Sequence, residues 1–453
     1  ICEGLVGSEM CIRDRSYRDG LFYLCYTLVH QHEAATKDTP NFLTTAFSID
    51  GPWSDPVFIN SSGFDPSLFH DDDDRKYWLN MVWDHRPEKH SFYGIAMQEY
   101  DARENSLLGE RKIIFKGSPL GLTEGPHLYK RNDYYYLLTA EGGTSYEHAV
   151  TMARSHDLWG PYELHPQNPV LTSANNFTLP LQKAGHASLV ETSKGEWYMP
   201  HLCARPLPGT RRCNLGRETA IQKVEWREDD WLYLSHGGNQ PKKVLTRPDL
   251  PQHPWPALPP RLPFDSSHYA IPRGPSASVI RTPESLTLLG AESLESNFEQ
   301  AMLARRLATH KATITTRLTF DPKNFQQMAG LAAYYNTYLF HYLYLSMDEE
   351  EGLCLQIHSC NDGNSRFPLG NEIIPVSTGN LYLRAIFDDC DLKFQFSENG
   401  TSFQDAGPVL DASILSDDHG KHWGFTGTFI ALACQDLTGE RCQARFGYLE
   451  FNN

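Results

Sequence analysis

The chain has no apolar run near the roughly 18–20 residues that a membrane-spanning helix needs. It also lacks any Lys/Arg-rich run: 40 basic residues stand against 56 acidic ones, for a formal charge of −16. Such a chain repels phosphate backbones and anionic lipid, which argues against nucleic acid and membrane as partners. Ten cysteines are scattered with no CxxC and no zinc-like spacing, so the expectation is a reduced, cytoplasmic protein. There is no phosphate-cradling glycine loop and no HExxH, so nucleotide hydrolysis and zinc-protease chemistry lack their motifs. Helical patterns of ten or more residues are scarce before residue 260, which weakens any parallel α/β reading. The first residue is Ile1 rather than Met, and residues 1–15 fit neither helix nor strand periodicity. That stretch resembles translated sequencing-adapter text and is set aside as an artefact or disordered tail.

What is present is aromatic and repetitive. The 453 residues suffice for several domains, and aromatics make up 12 %. Four segments pair a turn with an aromatic or aliphatic strand: Asp19-Gly20-Leu21-Phe22-Tyr23-Leu24, Asp74-Arg75-Lys76-Tyr77-Trp78-Leu79, Asn132-Asp133-Tyr134-Tyr135-Tyr136-Leu137 and Lys194-Gly195-Glu196-Trp197-Tyr198-Met199. Their spacing of about 55–62 residues suits propeller blades of four strands. A second element recurs as Gly51-Pro52-Trp53 and Gly160-Pro161-Tyr162. Asp65, Glu124 and His186 each lie about nine positions before a repeat turn. Equivalent positions of a radial array face one way, so these three are expected to converge on the central axis.

After a Pro-rich stretch the pattern changes to alternating strands such as Ala312-Thr313-Ile314-Thr315-Thr316-Arg317-Leu318 and Leu381-Tyr382-Leu383-Arg384-Ala385-Ile386. The expected architecture is all-β: a five-bladed β-propeller with an incomplete first blade over residues 16–245, a linker at 246–269, and a concanavalin-like antiparallel β-sandwich over 270–453.

The stretches Ser61-Ser62-Gly63-Phe64-Asp65-Pro66-Ser67-Leu68-Phe69-His70, Leu122-Thr123-Glu124-Gly125-Pro126-His127-Leu128-Tyr129, Leu138-Thr139-Ala140-Glu141-Gly142-Gly143-Thr144, Lys183-Ala184-Gly185-His186-Ala187-Ser188 and Leu215-Gly216-Arg217-Glu218-Thr219-Ala220 together resemble family-43 glycoside hydrolases of the β-xylosidase type. The resemblance runs from about Ser16 to the C-terminus. It implies inverting release of xylose from the non-reducing end of β-1,4-xylo-oligosaccharides, with α-L-arabinofuranosidase activity as the nearest alternative. A non-catalytic sugar-binding propeller is the alternative from another class.

Glycoside hydrolysis with inversion needs a carboxylic acid to protonate the leaving oxygen and a carboxylate to activate water. The resemblance makes Glu124 the acid, which must be protonated near neutral pH. It makes Asp65 the neighbouring charge that raises and orients it. The family's base is an Asp of an N-terminal blade motif upstream of this sequence, so the general base is expected to be absent and hydrolysis impaired. Asp65 lies only one repeat before Glu124, where the base belongs about two repeats before it, and Asp14 falls in the stretch set aside. Arg217 is expected to grip sugar hydroxyls with its fork, Trp83 and Phe425 to offer aromatic faces, and Thr144 to line the pocket. His186 is expected to help hold a structural calcium ion, or water, in the central channel; no cofactor is required. Asp71-Asp72-Asp73-Asp74 lacks EF-hand spacing and reads as a solvated turn. The sequence leaves room for a homo-oligomer.

Overall fold

The computed structural model describes residues 12–31, 34–272 and 276–452. They fold as β-strands and one short 3-10 turn, in two compact units.

The first unit comprises the described residues up to Ala204 together with Glu218–Gln252. It contains four antiparallel sheets in chain order. The first is β1 (Ile12–Arg18), β2 (Leu21–Thr27), β3 (Asn41–Ala46) and β4 (Val57–Asn60); the second is β5 (Ser67–His70), β6 (Lys76–Trp83), β7 (Phe92–Asp101) and β8 (Ser106–Phe115). The third runs β9 (Glu124–Arg131), β10 (Tyr134–Glu141) and β11 (Ala149–Ser155), with β12 (Glu163–Leu164) and β13 (Leu171–Thr172) both on β11. The fourth has β14 (Gln182–Ala187) and β15 (Val190–Glu191) on β16 (Trp197–Ala204), then β17 (Glu218–Trp226) and β18 (Leu232–Leu234). Each sheet puts its first strand at an edge, and these edges adjoin: β5 packs beside β1 and β9, and β9 beside β14. This is a propeller-like arrangement of four blades among the described residues.

The repeat seen in the sequence is the hairpin between the first strands of each blade. Asp19 and Gly20 both have positive φ (54° and 80°), which suits the tight turn joining β1 to β2. Asp74 (65°), Asn132 (52°) and Gly195 (76°) take the same backbone region at the matching turns. Gly51 and Gly160 share φ 87°, and their amides donate to Ser48 and Asp157 carbonyls three residues back. Between blades the aromatic strands interlock. Tyr77 and Trp78, adjacent on β6, point to opposite faces: Tyr77 joins the core between the second and third blades, and Trp78 the core between the first and second. Both are essentially excluded from solvent, as is Tyr136 between the third and fourth blades. Burying a side chain of this kind contributes about 1.5–3 kcal/mol.

Residues 1–11 lie outside the described residues. Residues 12–15 are in β1, which pairs with β2 in unbroken register from Ile12↔Thr27 to Arg18↔Leu21.

The second unit comprises Arg205–Arg217 and the described residues from His253 onward. Its thirteen-residue segment Arg205–Arg217 lies in the chain between the two segments of the first unit. Two eight-stranded antiparallel sheets form this unit. One is centred on Phe429–Asp436, Gln327–Asn336, Leu339–Asp348 and Gly352–Asn361; the other on Gln443–Asn452, Lys311–Thr319, Asn380–Asp388 and Asp391–Ser397. Ile314, Leu318, Leu331, Leu343, Leu383, Phe394 and Leu432 meet in one fully buried core, as the alternation in the sequence requires. Among the described residues no helix is long and apolar enough to cross a membrane.

Candidate active site

The loop that carries Asp65 is built by an amide network. Thr27 Oγ1 donates to Asn41 Oδ1 (2.7 Å), and Asn41 Nδ2 donates to Asn60 Oδ1 and to the Gly63 carbonyl (2.9 Å each). Asn80 Nδ2 donates to Ser62 Oγ at 3.1 Å, and its Oδ1 accepts from Trp78 Nε1 at 3.1 Å. The Met81 and Trp83 amides donate to the Phe64 and Ser62 carbonyls at 3.0 Å, which extends β6 alongside the loop. Gly63 has no room for a side chain there: a Cβ would lie 1.9 Å from the Met81 carbonyl oxygen. Asp65 follows at φ 56° and is 3 % exposed. Two residues on, Ser67 Oγ donates to the Pro126 carbonyl at 2.6 Å and ties the loop to β9.

Glu124 is the first residue of β9, half-buried, and the loop before it is clamped by a buried carboxylate. Glu141, at the end of β10 and 1 % exposed, accepts from the Ser118 amide (2.9 Å), Ser118 Oγ and Thr123 Oγ1 (2.9 Å). A Cβ on Gly117 would lie 2.0 Å from Thr123 Oγ1, so glycine is required for the clamp to close.

His186 joins these two loops. Its Nδ1 lies 4.0 Å from Asp65 Oδ2, and its ring packs against Gly125, where a Cβ would come within 2.8 Å of it. Asp65, His186 and the residue after Glu124 are thus consecutive neighbours. Lys37 feels the charge of Glu124. Burial pushes its ammonium below the ordinary lysine value, while the charge of Glu124 works against that shift. Lys37 Nζ lies 4.4 Å from the centre of the Trp83 ring, and Trp83 Nε1 donates to the Ala35 carbonyl at 2.8 Å. Trp83 in turn packs edge-on to Phe92 and beside Phe64. Asp65, His186, Glu124 and Trp83, taken from three different blades, are therefore brought together, with Lys37 added.

Thr144 sits in the loop after β10, which is tied to the loop before β9 by the Gly142 amide donating to the Gly121 carbonyl at 2.9 Å. Arg217 and Phe425 belong to the second unit, and they are neighbours there. The guanidinium lies 5.6 Å from the Phe425 ring centre, and the Arg217 amide donates to the Thr426 carbonyl at 3.2 Å. Phe425 has φ 49°, held by its amide and that of Gly424 donating to Asp417 Oδ1 (3.2 and 2.7 Å).

Asp14 carries a carboxylate 3.5 Å from His127 Nδ1, and its other oxygen accepts weakly from the Leu68 amide at 3.5 Å. For calcium, the described residues contain no group of three or more His, Cys, Asp or Glu arranged to hold a metal ion. The Nδ1 of His186 faces Asp65, and one imidazole is not the oxygen-rich set that calcium takes.

Lys37 and Glu141 were not singled out from the sequence. Lys37 lies in a polar loop without a motif, and only the fold shows where its long side chain reaches. Glu141 did leave a signal, a carboxylate ending the apolar run Tyr136-Leu137-Leu138-Thr139-Ala140.

Residues 12–232 match the model of glycosyl hydrolases family 43, and residues 259–452 match that of the beta xylosidase C-terminal concanavalin A-like domain. A xylosidase/arabinosidase 43B of Humicola insolens is 45 % identical over 447 residues, covering 94 % of this chain and 82 % of that protein. A beta-xylosidase of Bacillus subtilis (strain 168) is 44 % identical over 455 residues, covering 96 % of this chain and 85 % of that protein. The solved structure of a xylan beta-1,4-xylosidase from Bacillus halodurans C-125 superposes with a TM-score of 0.96 at 46 % identity, covering all of this chain and 88 % of that one. With a buried Asp, a half-buried Glu and an aromatic wall gathered from successive blades, and with relatives of this similarity over nearly its whole length, the chain belongs to glycosyl hydrolases family 43.

Proposed function

We propose that this chain is an exo-acting β-xylosidase that releases xylose from the non-reducing end of xylo-oligosaccharides with inversion. The observation that carries the proposal is the convergence of Glu124, Asp65 and His186 beside Trp83. Glu124 is the general acid: its proton passes to the glycosidic oxygen as the C–O bond breaks and positive charge develops at the anomeric carbon. Asp65 is the fixed negative charge that favours the protonated form of Glu124 before each turnover. His186 sets the spacing of the two loops. Trp83 offers its face to the C–H side of a sugar ring. Arg217, stacked against Phe425, is a candidate grip for sugar hydroxyls, and Thr144 a weaker one.

We further infer that the four blades belong to a five-bladed propeller, as the repeat and the resemblance imply. We also propose a reducing, cytoplasmic setting, supported by the scattered cysteines without paired spacing; self-association into a homo-oligomer is compatible with this reading.

Parallel rates on p-nitrophenyl β-D-xylopyranoside and α-L-arabinofuranoside test the assignment. Faster hydrolysis of the xyloside supports it. Faster hydrolysis of the arabinoside turns it to the second reading, which the dual name of the Humicola insolens relative favours. Binding of xylobiose with no turnover of either glycoside points to the non-catalytic alternative.

A further inference from the structure

In the sandwich unit, strand Phe429–Asp436 of one sheet turns directly into strand Gln443–Asn452 of the other. Cys434 lies in the first strand, 1 % exposed, and Cys442 stands half-buried immediately before the second. Their sulfurs are 4.0 Å apart. The connecting turn is fixed on several sides. Asp436 Oδ2 accepts from the Cys442 amide at 2.8 Å and from Gln327 Nε2 at 3.3 Å, while its Oδ1 accepts from the Thr438 amide and hydroxyl at 3.0 and 2.6 Å. The Gly290 amide donates to the Cys442 carbonyl at 2.7 Å, and the Asp436 amide to the Ala291 carbonyl at 2.9 Å. Gly290 lies so close that a Cβ there would be 3.0 Å from Cys442 Sγ and 2.4 Å from the Asp436 Cβ. The two thiols are therefore held in contact by backbone that has little freedom to separate them. A disulfide requires its sulfurs about 2.05 Å apart, and side-chain rotation supplies the remaining approach.

We propose that Cys434 and Cys442 form a modification site, a thiol pair that a hydroperoxide oxidises to an intramolecular disulfide joining the two sheets of the sandwich. Cys442, the more accessible partner, gives up its proton and attacks the peroxide. The S–O bond forms, the O–O bond breaks, and water or an alcohol leaves with that proton. The sulfur of Cys434 then attacks that of Cys442. The S–S bond forms, the S–O bond breaks, and the departing hydroxide takes the Cys434 proton as a second water. Two thiols lose two electrons and two protons, and the peroxide is reduced. The hydrogen bond with Cys442 first, and burial second, hold the Cys434 thiol well above its ordinary range, which fits it to the second step rather than the first.

The test uses the whole chain, treated with hydrogen peroxide or with dithiothreitol, blocked with iodoacetamide and digested with trypsin. Cleavage after Arg441 separates the two cysteines, so peptides 422–441 and 442–445 come apart from the reduced protein. From the oxidised protein they are expected as one linked species, lighter than their sum by two hydrogens, which dithiothreitol splits. In Cys442→Ser, a near-isosteric change at a half-buried position, the linked species is absent and Cys434 is recovered unmodified. Recovery of Cys442 as sulfinic or sulfonic acid, or alkylated, with no linked peptide from folded wild type, overturns the proposal. So does a dominant link from either cysteine to a third one.

Discussion

Asp65 occupies a conformation that its place before a proline does not favour. The residue before a proline normally prefers extended backbone, whereas Asp65 has φ 56° and precedes Pro66. The amide network and the Ser67–Pro126 bond hold it there. Strain retained at a buried carboxylate is what a functional position looks like. Asn tolerates the same backbone region, so Asp65→Asn is expected to keep the fold while removing a negative charge near Glu124. A nearby anion favours the protonated carboxyl and a nearby cation the ionised one. The alkaline limb of kcat/KM against pH is therefore expected to move to lower pH in Asp65→Asn and to higher pH in Lys37→Met. A shift in the same direction for both variants, or none for either, removes both residues from the electrostatics of the acid.

At the scale of elements, the site depends on loops positioned by neighbouring strands. Gly63→Ala pushes a methyl into the Met81 carbonyl and displaces the loop bearing Asp65. A cost of about 1–3 kcal/mol is expected, read as a lower thermal midpoint together with reduced kcat. Ser67→Ala leaves the Pro126 carbonyl unpaired in a buried position, at about 1–3 kcal/mol. If either variant melts as wild type does, the loop is not held as described. The hairpin turns at Asp19-Gly20, Asp74, Asn132 and Gly195 were legible in the sequence because tight turns demand particular residues. The convergence of Asp65, Glu124 and His186 was legible because repeat positions face alike. The departure of Arg205–Arg217 to the second unit was not, since nothing in its composition marks a change of unit. Lys37 was hidden for a similar reason: a loop lysine is ordinary until its long side chain is found over Trp83.

Across the whole molecule, buried histidines couple stability to pH. Burial holds His165 and His201 of the propeller-like unit and His341 of the sandwich down at about 4, against about 6.5 for a free imidazole. Above about 6.5 these groups are neutral in both states and cost nothing. Between about 6.5 and 4 the unfolded chain takes up protons that the native state refuses, so stability falls as pH falls. Each contributes up to about 1.4 kcal/mol per pH unit in that window. Thermal midpoints are expected to drop steadily on acidification through it; a flat or rising profile contradicts the burial of these rings as neutral groups. The catalytic claim is also one about the whole arrangement, that separate blades deliver Glu124 to a single site as its proton donor. Its most direct measurement is kcat/KM of wild type and Glu124→Gln on two β-xylosides, one with a poor phenol leaving group and one with a dinitrophenol that departs without protonation. The expected result is a loss of about 10²–10⁴-fold on the first substrate and little loss on the second. Equal losses on both, or wild-type rates on both, would contradict the assignment.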